Sequence, residues 1–146
     1  MTGVEVQTTR QMLVDYILSK EIIDSKGVTG GFALSDSCPD PDVTGMALQA
    51  LAKYQDQEKV KQAIDRALVV LSNMQNSNGG YSSWGSESSE STVQVIVALC
   101  ELGINPDTDS RFIKNGTTLV PVRFIAENIG ADVDWDNSTR TVIIEK

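Results

Sequence analysis

Asp42-Val43-Thr44-Gly45-Met46-Ala47-Leu48-Gln49-Ala50-Leu51 is answered further along the chain by Glu90-Ser91-Thr92-Val93-Gln94-Val95-Ile96-Val97-Ala98-Leu99, with Thr92 standing 48 residues after Thr44. Upstream of each run lies a glycine pair followed by an aromatic residue, Gly30-Gly31-Phe32 and Gly79-Gly80-Tyr81, here 49 residues apart. One residue is therefore lost in the second loop. A repeat of roughly 20–50 residues signals stacked helix-pair units, none of which buries its apolar face alone.

The rest of the composition bounds the answer. The chain has 146 residues, 40% hydrophobic and 22% charged, as expected of one globular domain with at most a small appendage. Its net charge of −8 disfavours nucleic acid and anionic membranes as partners, and suits a solvated surface. The longest apolar run, Val95 to Cys100, is far too short to span a bilayer. There is no basic-then-apolar leader, so a secreted form of this protein is expected to have lost its signal ahead of Met1. Cys38 and Cys100 fall at opposite ends of equivalent helices, on the order of 18 Å apart, and are expected to be free thiols.

Between the glycine pairs the chain reads as helices. A first helix is expected from about Thr8 to Ser25, with Met12, Leu13, Tyr16, Ile17 and Ile22-Ile23 on its apolar side. Asp40 followed by Pro41 is a cap and first turn for a second helix, over about 42–54, that is apolar nearly all round. Asp56 is placed to cap a third, striped by Val60, Ile64, Ala67, Leu68, Leu71 and Met74 and wetted by Lys59, Lys61, Asp65 and Arg66. A fourth begins at Ser89-Glu90 and ends at Gly103. Amphipathic and buried helices thus alternate, which predicts two layers with the buried pair parallel inside.

Gly-Gly-aromatic loops leading into a Thr-containing inner helix resemble the α/α-toroid repeats of terpenoid cyclases, protein prenyltransferase β-subunits and cobalamin carriers. The prenyltransferase-like repeats of bacterial surface proteins carry runs similar to Asp42 through Ala52. Closed toroids use five to seven such pairs. Two pairs cannot close a ring, so the expectation is a partial α/α toroid of two helix-hairpin repeats within residues 1–114.

From Asn115-Gly116 the chain changes style. Extended Thr117–Val120, a short helix opened by Pro121 and closed by Gly130, and strands around Val133-Asp134-Trp135 and Arg140–Ile144 read as a small β-α-β-β unit. Leu119 to Ala131, with Val133-Asp134-Trp135-Asp136, resembles the copper amine oxidase N-terminal-like domain, of which residues 115–146 make about half. Bacterial surface proteins carry that module near the wall or in a stalk, and it is not the copper-binding part of the oxidase.

Few residues point to chemistry. Asp40-Pro41-Asp42-Val43-Thr44 sits where class II terpene cyclases, by resemblance, place their Asp-x-Asp-Asp-Thr acid, with Asp42 as proton donor and Val43 in place of a third carboxylate. The second repeat has Ser89-Glu90-Ser91-Thr92 there, as expected of a helix N-terminus whose free N–H groups need an acceptor. Asp36-Ser37-Cys38 resembles prenyltransferase zinc ligands, but the required histidine is missing because the chain has none. Asp132 to Asn137 imitates a calcium loop but has no glycine at the sixth position, and Ile143 stands where the final acid is needed. No metal and no cofactor is expected. Tyr81 and Trp84, in the loop Asn76–Ser86, are the ligand-binding candidates. Trp84 has no aromatic counterpart in the first repeat.

The sequence thus predicts a mainly α protein and a non-enzymatic binding or display module of a bacterial secreted or cell-surface protein. Its partner would be a surface ligand: carbohydrate, protein or small molecule. Apolar flanks left open at both ends of the helix array also predict a homo-oligomer. The alternatives are a degenerate class II terpene cyclase-like fragment using Asp40 and Asp42, and a cobalamin-type carrier.

Overall fold

A computed structural model describes residues 8–23, 27, 30–35, 38–106, 108–114, 132–136, 138–139 and 141–145. The chain is mainly helical, with α1 over Arg10–Ser19, α2 over Pro41–Leu51, α3 over Glu58–Met74 and α4 over Ser89–Glu101. A turn of 3-10 helix, Ala52–Tyr54, extends α2. Strands β1 (Tyr81–Ser83) and β2 (Ser86–Ser88) form a hairpin that runs straight into α4. Strands β3 (Asp132–Asp136) and β4 (Thr141–Glu145) form a second antiparallel pair, with Trp135 opposite Val142 and Val133 opposite Ile144. The strands read around Trp135 and over 140–144 are therefore present as a pair. The extended segment and short helix expected over 117–130 lie outside the described residues, as does Asp36-Ser37.

Capping explains where the helices begin. The Asp40 carboxylate accepts from the Asp42 N–H (2.9 Å) and the Val43 N–H (3.1 Å), with Pro41 supplying the first helical turn. In α4 the same role falls to Ser88, whose hydroxyl accepts from the Ser91 N–H at 3.1 Å. Two boundary expectations are corrected. Asp56 does not cap α3: Gln57 holds the cap position without a side-chain bond, and its amide exchanges hydrogen bonds with Gln11 on α1. The first helix is shorter than expected. Thr9 caps it by accepting from the Met12 N–H, and beyond Lys20 the backbone of Ile22 pairs with Gly30 and Gly31 instead of continuing the helix.

The apolar side of α1 is also corrected. Val14 is buried and Ile17 and Leu18 pack on the core, whereas Met12, Leu13 and Tyr16 are exposed. Apolar residues surround this helix, so periodicity alone selects no face; packing does. The third helix needs no such correction: Val60, Ile64, Ala67, Leu68 and Leu71 are buried, and Lys59, Lys61 and Asp65 face water.

The core gathers around α2 and α4. A Cβ on Gly45 would stand 3.1 Å from the Gln94 carbonyl oxygen, so glycine lets these two backbones approach closely. Beside that contact, the Gln49 amide donates to the Gln94 side-chain oxygen at 2.9 Å. After α4 the chain folds back over the end of α3, where Ser72 Oγ donates to the Arg111 carbonyl (2.8 Å) and Gln75 Nε2 to the Phe112 carbonyl (3.0 Å). Phe112 is buried there. Hydrogen bonds from Arg111 hold the Asp109 carboxyl below the usual carboxylate range and stiffen this segment. Both cysteines are free and exposed.

Candidate functional site

The repeated Gly-Gly-aromatic and threonine elements meet in a shared device. Thr44 is buried, and its Oγ1 accepts from the Phe32 N–H (3.0 Å) and donates to the Phe32 carbonyl (3.1 Å). Thr92 repeats the accepting half: its Oγ1 accepts from the Tyr81 N–H (3.1 Å), but it donates to the Ser88 carbonyl (2.9 Å) instead of back to the aromatic residue. Each threonine thereby satisfies a buried backbone group of the aromatic residue, which an apolar side chain would leave orphaned. Phe32 and Tyr81 are both in the core. The threonine's recurrence at one place in both repeats was the signal for this clamp.

The candidate ligand residues part company. Tyr81 is buried, its hydroxyl has no hydrogen-bond partner among the described residues, and burial pushes its phenol above the usual range. Trp84, three residues on, is 99% exposed. It forms with Gly85 a two-residue turn between the paired Ser83 and Ser86, and φ is +52° at Trp84 and +82° at Gly85. Positive φ at both central residues is the pattern of a type I′ hairpin turn, normally filled by Asn-Gly or Gly-Gly. A bulky tryptophan in the left-handed region stores strain, and such strain concentrates at functional positions. The hairpin itself was not read from the sequence; a glycine among serines after Trp84 was its only mark.

At the base of the hairpin lies a cavity of about 360 Å³, lined by Asn78, Gly80, Tyr81, Glu87, Ser88, Ser89 and Thr92. Its wall is polar and includes the first turn of α4. Inward from it, a void of about 10 Å³ borders both Tyr81 and Gln75, whose Oε1 is likewise buried and unpartnered.

Asp40 and Asp42 are at the start of α2. Asp40 is occupied on both oxygens, by the capping N–H groups and by Ser83 Oγ, which donates to Oδ2 at 3.2 Å. That last bond ties the start of α2 to the hairpin that feeds α4. Asp42 has one buried oxygen without a partner among the described residues, yet it lines neither cavity. Among the described residues no group of three or more His, Cys, Asp or Glu is placed to hold a metal ion. Among them, too, no helix is long and apolar enough to cross a membrane.

The family model of the copper amine oxidase N-terminal domain matches residues 103–146, which takes in the Phe112 segment, β3 and β4. The C-terminal part of the chain is thus copper amine oxidase N-terminal-like, and the repeated helices lie outside the match. No curated protein matches this chain. No solved structure matches it either.

Proposed function

We propose that this chain is a non-catalytic binding or display module of a bacterial secreted or cell-surface protein. In this reading residues 1–114 are an open, two-repeat piece of an α/α toroid, and residues 115–146 belong to a surface-protein accessory module. The twice-used threonine clamp supports a true repeat. The Asp40–Ser83 bond, with Gly45 against Gln94, supports inner helices that start at the same end of the array.

One observation carries the binding role: Trp84, fully open to solvent on a strained two-residue turn. An indole held out by a hairpin presents a flat apolar face at small entropic cost, as stacking on a sugar ring requires. In the wall of the cavity at the base of the same hairpin, Asn78 donates to the Glu87 carboxylate, which leaves the second carboxylate oxygen for a ligand hydroxyl. A glycan array probed with the wild-type protein and with Trp84→Ala tests this. The expected result is saturable binding by the wild type, weakened at least tenfold in the variant. Absence of binding, or binding indifferent to the substitution, overturns it.

A second reading, a cyclase-like fragment with Asp42 as acid, draws on the buried, unpartnered Asp42 oxygen. Incubation with a polyprene decides it: an Asp42-dependent cyclised product would favour this reading over the first.

A further inference from the structure

The contact between the two repeats has a direction, and this leaves one half of it unused at each end of the array. Within the chain, α2 offers Gly45 and Gln49 to α4, which answers with Gln94. The 48-residue offset carries Gly45 and Gln49 onto Val93 and Val97, and carries Gln94 back onto Met46. Met46 is 57% exposed where Gln94 is half-buried, and Val97 is 40% exposed where Gln49 is half-buried. One turn along each face the pattern recurs. Ala98 is buried but its counterpart Ala50 is exposed; Ala52 is buried but its counterpart Cys100 is exposed. In each pair, the residue on the side without a neighbouring repeat is the more open.

The open face of α2 at Met46 and the open face of α4 at Val97 are therefore the two halves of the contact that already joins α2 to α4. Each centres on an exposed apolar side chain, Met46 beside Ala50 and Val97 beside Cys100, with charged residues (Lys53; Glu90 and Glu101) at the margins. We infer that this chain associates head to tail with a second copy of itself, the Val97 face of one α4 docking on the Met46 face of the next copy's α2. Continuity with the internal interface selects this occupant, because the same surface operation that stacks repeat two on repeat one stacks the next chain on repeat two. Val93 stands where Gly45 allows the close approach, so copies pack at a wider spacing than the internal helices. The contact joins unlike surfaces. It does not close at a dimer and builds chains or rings.

The test uses the whole chain and two variants at exposed positions, Met46→Asp and Val97→Asp, with circular dichroism as a check on folding. Should aspartate disturb either helix, Met46→Ser and Val97→Ser replace them. Sedimentation velocity is run over a concentration series in moderate salt, which screens the repulsion between chains of net charge −8. The wild type is expected to grow past twice its 15.8 kDa mass as concentration rises. Each variant alone stays monomeric. An equal mixture of the two variants gives a dimer and nothing larger, since each supplies the face the other lacks. A wild type that remains monomeric overturns the inference. So does a wild type that stops at a dimer, a mixture that stays monomeric, or a block imposed by only one of the two substitutions.

Discussion

The two repeats use one clamp and two different connectors. In the first, Gly30 and Gly31 both take positive φ, +153° and +74°, and the chain presses back on itself until Gly31 meets Pro39. In the second, only Gly79 of the glycine pair does so, at +92°, and the chain rises into the β1–β2 hairpin with Trp84 at its tip. The threonine, the aromatic residue and the capped helix that follows are common to both. What packs in the core is held constant, and what lies on the surface is free to diverge, as loops carried on a rigid scaffold generally are.

Gly31→Ala strikes this comparison hardest. A Cβ there would lie 2.8 Å from Pro39 Cβ, in a backbone conformation that suits glycine. We expect a loss of about 3 kcal/mol in urea unfolding, against a smaller loss for Gly80→Ala, whose backbone lies outside that region. Equal losses would mean that the two connectors are under the same constraint after all.

Thr44→Val and Thr92→Val sharpen the shared part. Each leaves one buried N–H, that of Phe32 or Tyr81, without an acceptor, at a cost of roughly 2 kcal/mol apiece. Similar values, from the same unfolding measurement, are expected because each substitution removes the same acceptor from an aromatic residue's buried N–H. A difference well beyond experimental error would show that one of the two is not a structural clamp.

The smallest effect comes from making the repeats more alike. Tyr81→Phe gives the second repeat the aromatic residue of the first and removes a buried hydroxyl that has no partner. The expected outcome is a gain of up to about 1 kcal/mol, seen as a raised Tm. A clear loss would show that the hydroxyl is satisfied, for which the adjoining void has room for one water.

Much of this architecture is legible in the linear chain because it rests on local signals. Asp40-Pro41 starts α2 through hydrogen bonds two and three residues away, and the stripe from Val60 to Leu71 fixes the buried side of α3. The strand pair around Trp135 follows from strict alternation. Reading failed where local signals conflict or tie. Asp56 looks like a cap, yet Gln57 takes the position without a capping bond, and its amide instead meets Gln11 on α1, 46 residues away in sequence. Trp84 belongs to a turn type that its side chain argues against.

The sequence by itself determined the repeat, with its matched threonine and aromatic positions, and the starts of α2 and α4, since periodicity and capping act over a few residues. Only the tertiary structure decided which side of α1 is buried, that Tyr81 turns inward while Trp84 stands open, and which faces of α2 and α4 remain uncovered. Those outcomes depend on contacts between segments far apart in the chain, where burial goes to whichever surface finds a partner.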